Sequence, residues 1–168
     1  MFPLDISRYN DYIGNMGVRS KFSGSSNSLE NRIFVALLET ADTLAQEAEQ
    51  LLKAAGLTGA QYNVLRILRG AEPKGLACRA IGDRMISHDP DMTRLLDRME
   101  KHGLITRERQ SDDRRVVKTR ISAQGLSLLK TLDQPVRDLH KRQFRHMSAP
   151  RLKILSDLLE EVRVCKPA

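Results

Sequence analysis

The chain has 168 residues, 40% hydrophobic and 29% charged, proportions of one globular domain, or one domain with an arm, and not of a disordered segment. No apolar run approaches the ~20 residues of a membrane-spanning helix, and Met1-Phe2-Pro3-Leu4-Asp5 shows no charged n-region leading into an apolar stretch, so a cytoplasmic protein is expected. The net charge of +7 is unevenly placed: residues 1–57 hold 5 basic and 7 acidic side chains, 58–125 hold 14 and 9, and 126–168 hold 9 and 5. A basic centre points to a polyanionic partner, of which nucleic acid is the commonest.

Residues 1–27 read as an arm. Gly14, Gly17 and Ser23-Gly24-Ser25-Ser26-Asn27 interrupt any regular pattern, yet Phe2, Leu4, Ile6, Tyr9, Tyr12 and Ile13 suit a segment that packs on something, a second subunit being one option. Asn27 and Glu30 stand at capping-box spacing before a long helix. Its apolar stripe runs Ile33, Leu37, Ala41, Leu44, Ala48, Leu51, Ala55 and ends at Gly56. Thr58 and Gln61 open a second helix carrying Tyr62, Leu65 and Leu68, which stops at Gly70. After the loop Glu72-Pro73-Lys74-Gly75, two short helical segments are expected at roughly 78–86 and 90–102, the second with Asp89 as cap and Pro90 as its first residue.

The period then changes from 3.6 to 2. Leu104–Arg109 and Val116–Ile121 read as two strands around the charged turn Gln110-Ser111-Asp112-Asp113-Arg114-Arg115. Ser122 caps a further helix with Leu126, Leu129 and Leu132, which Pro135 is expected to kink or divide before Val136, Leu139 and Phe144. Ser148 caps a last helix with Pro150 in its first turn and Leu152, Leu155, Leu159 and Val162 along one side.

Helix, short turn, helix and a basic-tipped hairpin form the layout of a winged helix-turn-helix, and the expected class is mainly α (α+β). A helix of ~10–12 Å diameter fits the DNA major groove with its N-terminal residues at base edges. An Arg-rich hairpin can enter the minor groove. With Met92, Leu95, Leu96 and Met99 facing inward, Asp91, Thr93, Arg94, Asp97, Arg98 and Lys101 remain outside. Arg94 suits a guanine or a phosphate, and Thr93 a phosphate or a thymine methyl. Asp91 is unfavourable near phosphates unless it accepts from a cytosine amino group or orients a neighbouring Arg. His88 is placed either against a phosphate or in a solvated loop. In the hairpin the candidates are Asp113, Arg114, Arg115 and Lys118.

Other features are read more plainly. Cys78 and Cys165 have no metal-ligand spacing, and His88, His102, His140 and His146 pair with no ligand cluster, so neither metal nor cofactor is expected. Cys78 at a helix start reads as a packing residue, with a thiol-based redox switch as the alternative. The basic run Arg137–His146 reads as a solvated face near a subunit interface, the alternative being auxiliary phosphate contact. No Gly-rich phosphate loop or nucleophile motif indicates an enzyme. A winged-helix module binding protein instead of DNA remains a second reading.

Leu57-Thr58-Gly59-Ala60-Gln61-Tyr62, Ile81-Gly82-Asp83-Arg84-Met85, Met92 through Ile105, and Asp113-Arg114-Arg115 followed by Ile121-Ser122-Ala123-Gln124-Gly125 together resemble the MarR family of bacterial transcription regulators, from about Leu57 to Gly125. The resemblance implies a homodimer in which terminal helices interlock and two winged-helix lobes straddle pseudo-palindromic double-stranded DNA. Its segments would be an arm at 1–27, a dimerisation helix at 28–56, a DNA-binding lobe with a two-stranded wing at 57–122 and dimerisation helices at 123–168. It also implies a repressor whose DNA binding is weakened by a small, often aromatic, effector held between dimerisation region and lobe; individual pocket residues are not assigned. Asp113 and Arg115 match the acid and Arg of the family's wing, where the pair stabilises the hairpin and the Arg reaches the minor groove. Asp89-Pro90-Asp91 makes the start of the reading helix more acidic than the family's usual polar run. No Cys falls in the first long helix, where the peroxide-sensing branch keeps its thiol.

Overall fold

A computed structural model describes residues 28–86, 91–109 and 117–164. In chain order these form α1 (Leu29–Ala54), α2 (Gly59–Arg69), β1 (Leu76–Ala77), α3 (Cys78–Gly82), α4 (Met92–Lys101), β2 (Ile105–Arg109), β3 (Val117–Ile121), α5 (Ala123–Phe144) and α6 (Ala149–Val164). The mainly helical class with a hairpin before the last two helices is as expected. The sheet, however, has three antiparallel strands in the order β1-β3-β2. Leu76 and Ala77 pair with Thr119 and Lys118 on one side of β3, and Ile105 through Arg109 pair with Ile121 through Val117 on the other. Two residues are too few to show a period of two, which is why β1 is invisible in the sequence.

Local chemistry sets the helix ends. Thr58 and Gln61 form the expected box: Gln61 N–H donates to Thr58 Oγ1 at 3.2 Å and Thr58 N–H to Gln61 Oε1 at 2.9 Å. The cap of α1 is Ser28 and not Asn27; its hydroxyl oxygen accepts from Asn31 N–H at 3.3 Å. Either side chain can cap a helix, and the one-residue shift leaves Glu30 within the first turn. Likewise α4 starts at Met92 with Asp91 as cap, two residues beyond the expected start. The segment before it is helical only over Cys78–Gly82, which leaves Ile86 90% exposed. Pro135 does not divide α5, a single helix of 22 residues. Proline removes the N–H that would bond the Thr131 carbonyl, but both residues are exposed, so solvent can take that carbonyl.

The core lies between α2, α3, α4, the sheet and the first half of α5: Val64, Leu65, Leu68, Ile81, Leu95, Leu96, Met99, Ile105, Ile121, Leu129 and Leu132 are all buried. A two-pronged ion pair ties α2 to α5, Arg69 Nη1 standing 2.9 Å from both carboxylate oxygens of Asp133. Further along, Gln143 Nε2 donates to the Leu44 carbonyl of α1 at 3.1 Å. The α1 stripe is not all core: only Leu52 is buried, and Ile33 and Phe34 stay about half exposed at 47% and 48%. Helix α6 buries no residue at all.

Candidate nucleic-acid interface

The two faces of α4 part sharply. Leu95, Leu96 and Met99 are buried and Met92 is half-buried against the core, whereas Thr93, Arg94, Asp97, Arg98 and Lys101 are exposed. At its start, Asp91 turns both carboxylate oxygens to one neighbour: Oδ1 accepts from Arg94 N–H at 3.1 Å, and Oδ2 lies 3.1 Å from Arg94 Nε. Of the two roles the sequence leaves open for this acid, the geometry shows the second, an Arg held in place. The Arg94 side chain is 82% exposed, and its terminal nitrogens have no partner among the described residues.

The helix ends at His102, and Gly103 adopts φ +70, a left-handed conformation that glycine takes without penalty. Gly103 N–H donates to Glu100 O at 2.8 Å and Leu104 N–H to Met99 O at 3.0 Å, leading directly into β2. Beside this turn, Ser122 Oγ donates to Gly103 O at 2.6 Å and accepts from Gly125 N–H at 2.9 Å. One hydroxyl therefore joins the exit of α4 to the entry of α5.

The hairpin root is also braced from below. Arg107 of β2 reaches Glu100 with Nε at 2.8 Å and Nη2 at 2.6 Å, and Asp97 with Nη2 at 2.6 Å. Donation to the Glu100 carboxylate is the main cause holding the Arg107 guanidinium above its ordinary pKa, with burial opposing. Sequence reading missed this cluster, because strand and helix patterns do not report which strand side chain reaches which helix.

Lys118 sits half-buried on the central strand β3, opposite Glu108 of β2 and Ala77 of β1. His88, Asp113, Arg114 and Arg115 lie outside the described residues, as do Cys165 and the 1–27 arm. Cys78 opens α3, half-buried against the core and free of any disulfide. Arg137, Lys141 and Arg145 of the basic run line a cleft of about 540 Å³ with Phe144, Met147 and Leu152 at the α5–α6 elbow. Arg137 is fourteen residues into α5, so at ~1.5 Å per residue this cleft is about 20 Å from the wing root. That separation favours the reading as a solvated helix face over auxiliary phosphate contact. Among the described residues no His, Cys, Asp and Glu side chains converge as a metal site, and no helix is long and apolar enough to cross a membrane.

The MarR family model matches residues 57–117. A MarR transcription factor from Planctomyces limnophilus has a solved structure 39% identical to this chain, covering 81% of it and 98% of that protein, with a TM-score of 0.63. The chain belongs to the MarR family. Among curated MarR-like relatives, an organic hydroperoxide resistance transcriptional regulator of Bacillus subtilis is 31% identical over 108 residues, 64% of this chain and 72% of the relative. A mutant MarR from E. coli complexed with operator DNA shares the fold at 24% identity and a TM-score of 0.71, covering 81% of this chain and 99% of that one. The winged-helix fold and the identity of this chain as a MarR-family transcriptional regulator rest on these matches, and the relatives are regulators and not enzymes.

Proposed function

We propose that this chain is a sequence-specific, ligand-responsive repressor that binds a pseudo-palindromic operator in double-stranded DNA as a homodimer. The observation that carries the reading is α4, a helix whose inner face is locked into the core while its outer face presents Thr93, Arg94 and Arg98. Arg94 and Thr93 read bases or phosphates in the major groove, with Asp91 orienting Arg94, while Arg98 and His88 serve the flanking backbone. Arg114, Arg115 and Lys118 belong to the wing, with Asp113 holding its tip. The E. coli protein seen with operator DNA supports this assignment by its shared fold.

A second feature supports the dimer. Ile33 and Leu37 of α1 and Leu155, Leu158, Leu159 and Val162 of α6 line an open apolar groove of about 560 Å³. Contiguous apolar surface on two helices calls for a cover, and a second copy supplies it with the same groove across a two-fold axis. On this reading 28–56 and 123–168 are dimerisation segments, 57–122 is the DNA-binding lobe and 1–27 an arm. A small aromatic effector would act by binding more tightly to the dimer whose lobes are wrongly spaced for DNA.

Selection of fragments from a random duplex library at near-physiological salt tests the proposal. The expected result is a two-fold-symmetric motif with half-sites ~34–36 Å apart. Arg94→Ala should then weaken binding by about 1–3 kcal/mol and relax preference at one position in each half-site. Weak, sequence-blind retention that disappears with salt would refute it.

A further inference from the structure

We infer that Arg107 is a positioning residue that sets the roll of α4 on the sheet and thereby the sequence preference of DNA binding; the inference rests on the reading of α4 as the DNA-reading helix. Arg107 shares a strand face with Ile105, two residues earlier, which is 2% exposed in the core. Its own side chain continues that face outward beneath α4 and is 24% exposed. The apolar contacts of Leu95, Leu96 and Met99 hold α4 against the core and fix which face is inward, but burial is non-directional and leaves small rolls about the helix axis weakly specified. Asp97 and Glu100 lie three residues apart, neighbours along one helix face. One guanidinium gripping both fixes that face relative to β2, because its planar fork has a defined geometry that a point charge lacks.

The cluster also has an electrostatic side. Asp97 and Glu100 have no other ionic partner among the described residues, so Arg107 is the cation that offsets two carboxylates on the helix proposed to meet phosphates. Loss of Arg107 and loss of the two acids change the protein's charge in opposite senses, while both release the helix. This opposition separates positioning from plain electrostatics.

The test measures affinity for the duplex recovered by selection and for a scrambled duplex of equal length, with each variant shown by circular dichroism to be folded at the assay temperature. Three variants are compared: Arg107→Met, Arg107→Lys, and Asp97→Asn combined with Glu100→Gln. The selected-to-scrambled ratio is expected to fall about tenfold in each, a loss within the range of one bidentate recognition contact. Scrambled-duplex affinity should fall for Arg107→Met, hold for Arg107→Lys and rise for the double variant. The salt slope of Arg107→Met should match that of the wild type, because the side chain releases no counterion. An unchanged ratio in Arg107→Met or in the double variant overturns the inference, and so does a salt slope reduced by about one, which would make Arg107 a phosphate contact. If the wild-type protein itself shows no preference, the DNA-reading assignment of α4 has failed, and that is visible before any variant is made.

Discussion

Gly125 is buried in the first turn of α5, where that helix passes close to Leu104. A Cβ added there would collide with the Leu104 carbonyl oxygen and lie 3.0 Å from Ile121 Cγ1. The carbonyl cannot retreat freely, because it also accepts from Ser122 N–H at 3.1 Å. Overpacking against backbone should cost about 3 kcal/mol. Displacing the carbonyl weakens the Ser122 bond by about 1 kcal/mol, and the better helix propensity of alanine returns about 1 kcal/mol. Gly125→Ala is therefore expected to destabilise the protein by about 3 kcal/mol, a fall in Tm of roughly 6–12 °C for a chain of this size. Urea unfolding should show a lower midpoint at unchanged slope. Gly59→Ala is the control, since nothing lies within 4 Å of its added Cβ, and it should be neutral or mildly stabilising. If Gly125→Ala unfolds at the wild-type midpoint, the close crossing of α5 over Leu104 is not as described.

Three further outcomes are expected. Leu158→Glu should convert the proposed dimer to monomer in sedimentation: each leucine contributes about 2 kcal/mol on burial, and the two copies together make a dissociation constant about a thousandfold weaker; unchanged sedimentation would remove the groove from the proposed interface. Arg69→Met should lower stability by about 1 kcal/mol, a figure already discounted for solvent screening because both partners are 34% exposed; equal or greater stability would show the α2–α5 fork to be ornamental. The Glu30 carboxyl is held below 4.5 by its own backbone N–H and then by the Ser28 side chain. Its contribution is thus full above that value and disappears as pH falls through the lower, folded one. Amide exchange in the first turn of α1 should accelerate on acidification relative to a neutral-pH reference, and Glu30→Gln should abolish the Glu30-dependent part.

Much of this architecture is written locally. Thr58 and Gln61 announce α2 because a capping box uses residues three apart, and Leu95, Leu96 and Met99 announce the inner face of α4 because helical period is itself a sequence pattern. Boundaries drift where two residues can do one job: Ser28 caps where Asn27 could, and Asp91 where Asp89 could. The rest is tertiary. β1 exists only because β3 offers an edge, and Arg69 meets Asp133 across 64 positions of chain. The exposure of Ile33 and of α6 is equally illegible, since an apolar stripe looks the same whether its cover lies in the same chain or another. Arg107 marks the limit most clearly: in sequence it is one of several arginines around a strand, and only the fold puts it under two carboxylates.

The Ser122 hydroxyl has a mechanical consequence. Because it fastens the exit of α4 and the entry of α5 to each other, a shift of the 22-residue α5 is passed on to the C-terminal end of α4. That helix is a lever about 33 Å long, and at ~1.5 Å per residue a tilt of about 5° about its far end sweeps the near end through about 3 Å. A displacement of that size is the length of one hydrogen bond, enough to break the base contacts proposed for Thr93 and Arg94. Events among the apolar side chains far from the proposed DNA-reading face therefore need move very little to be felt there.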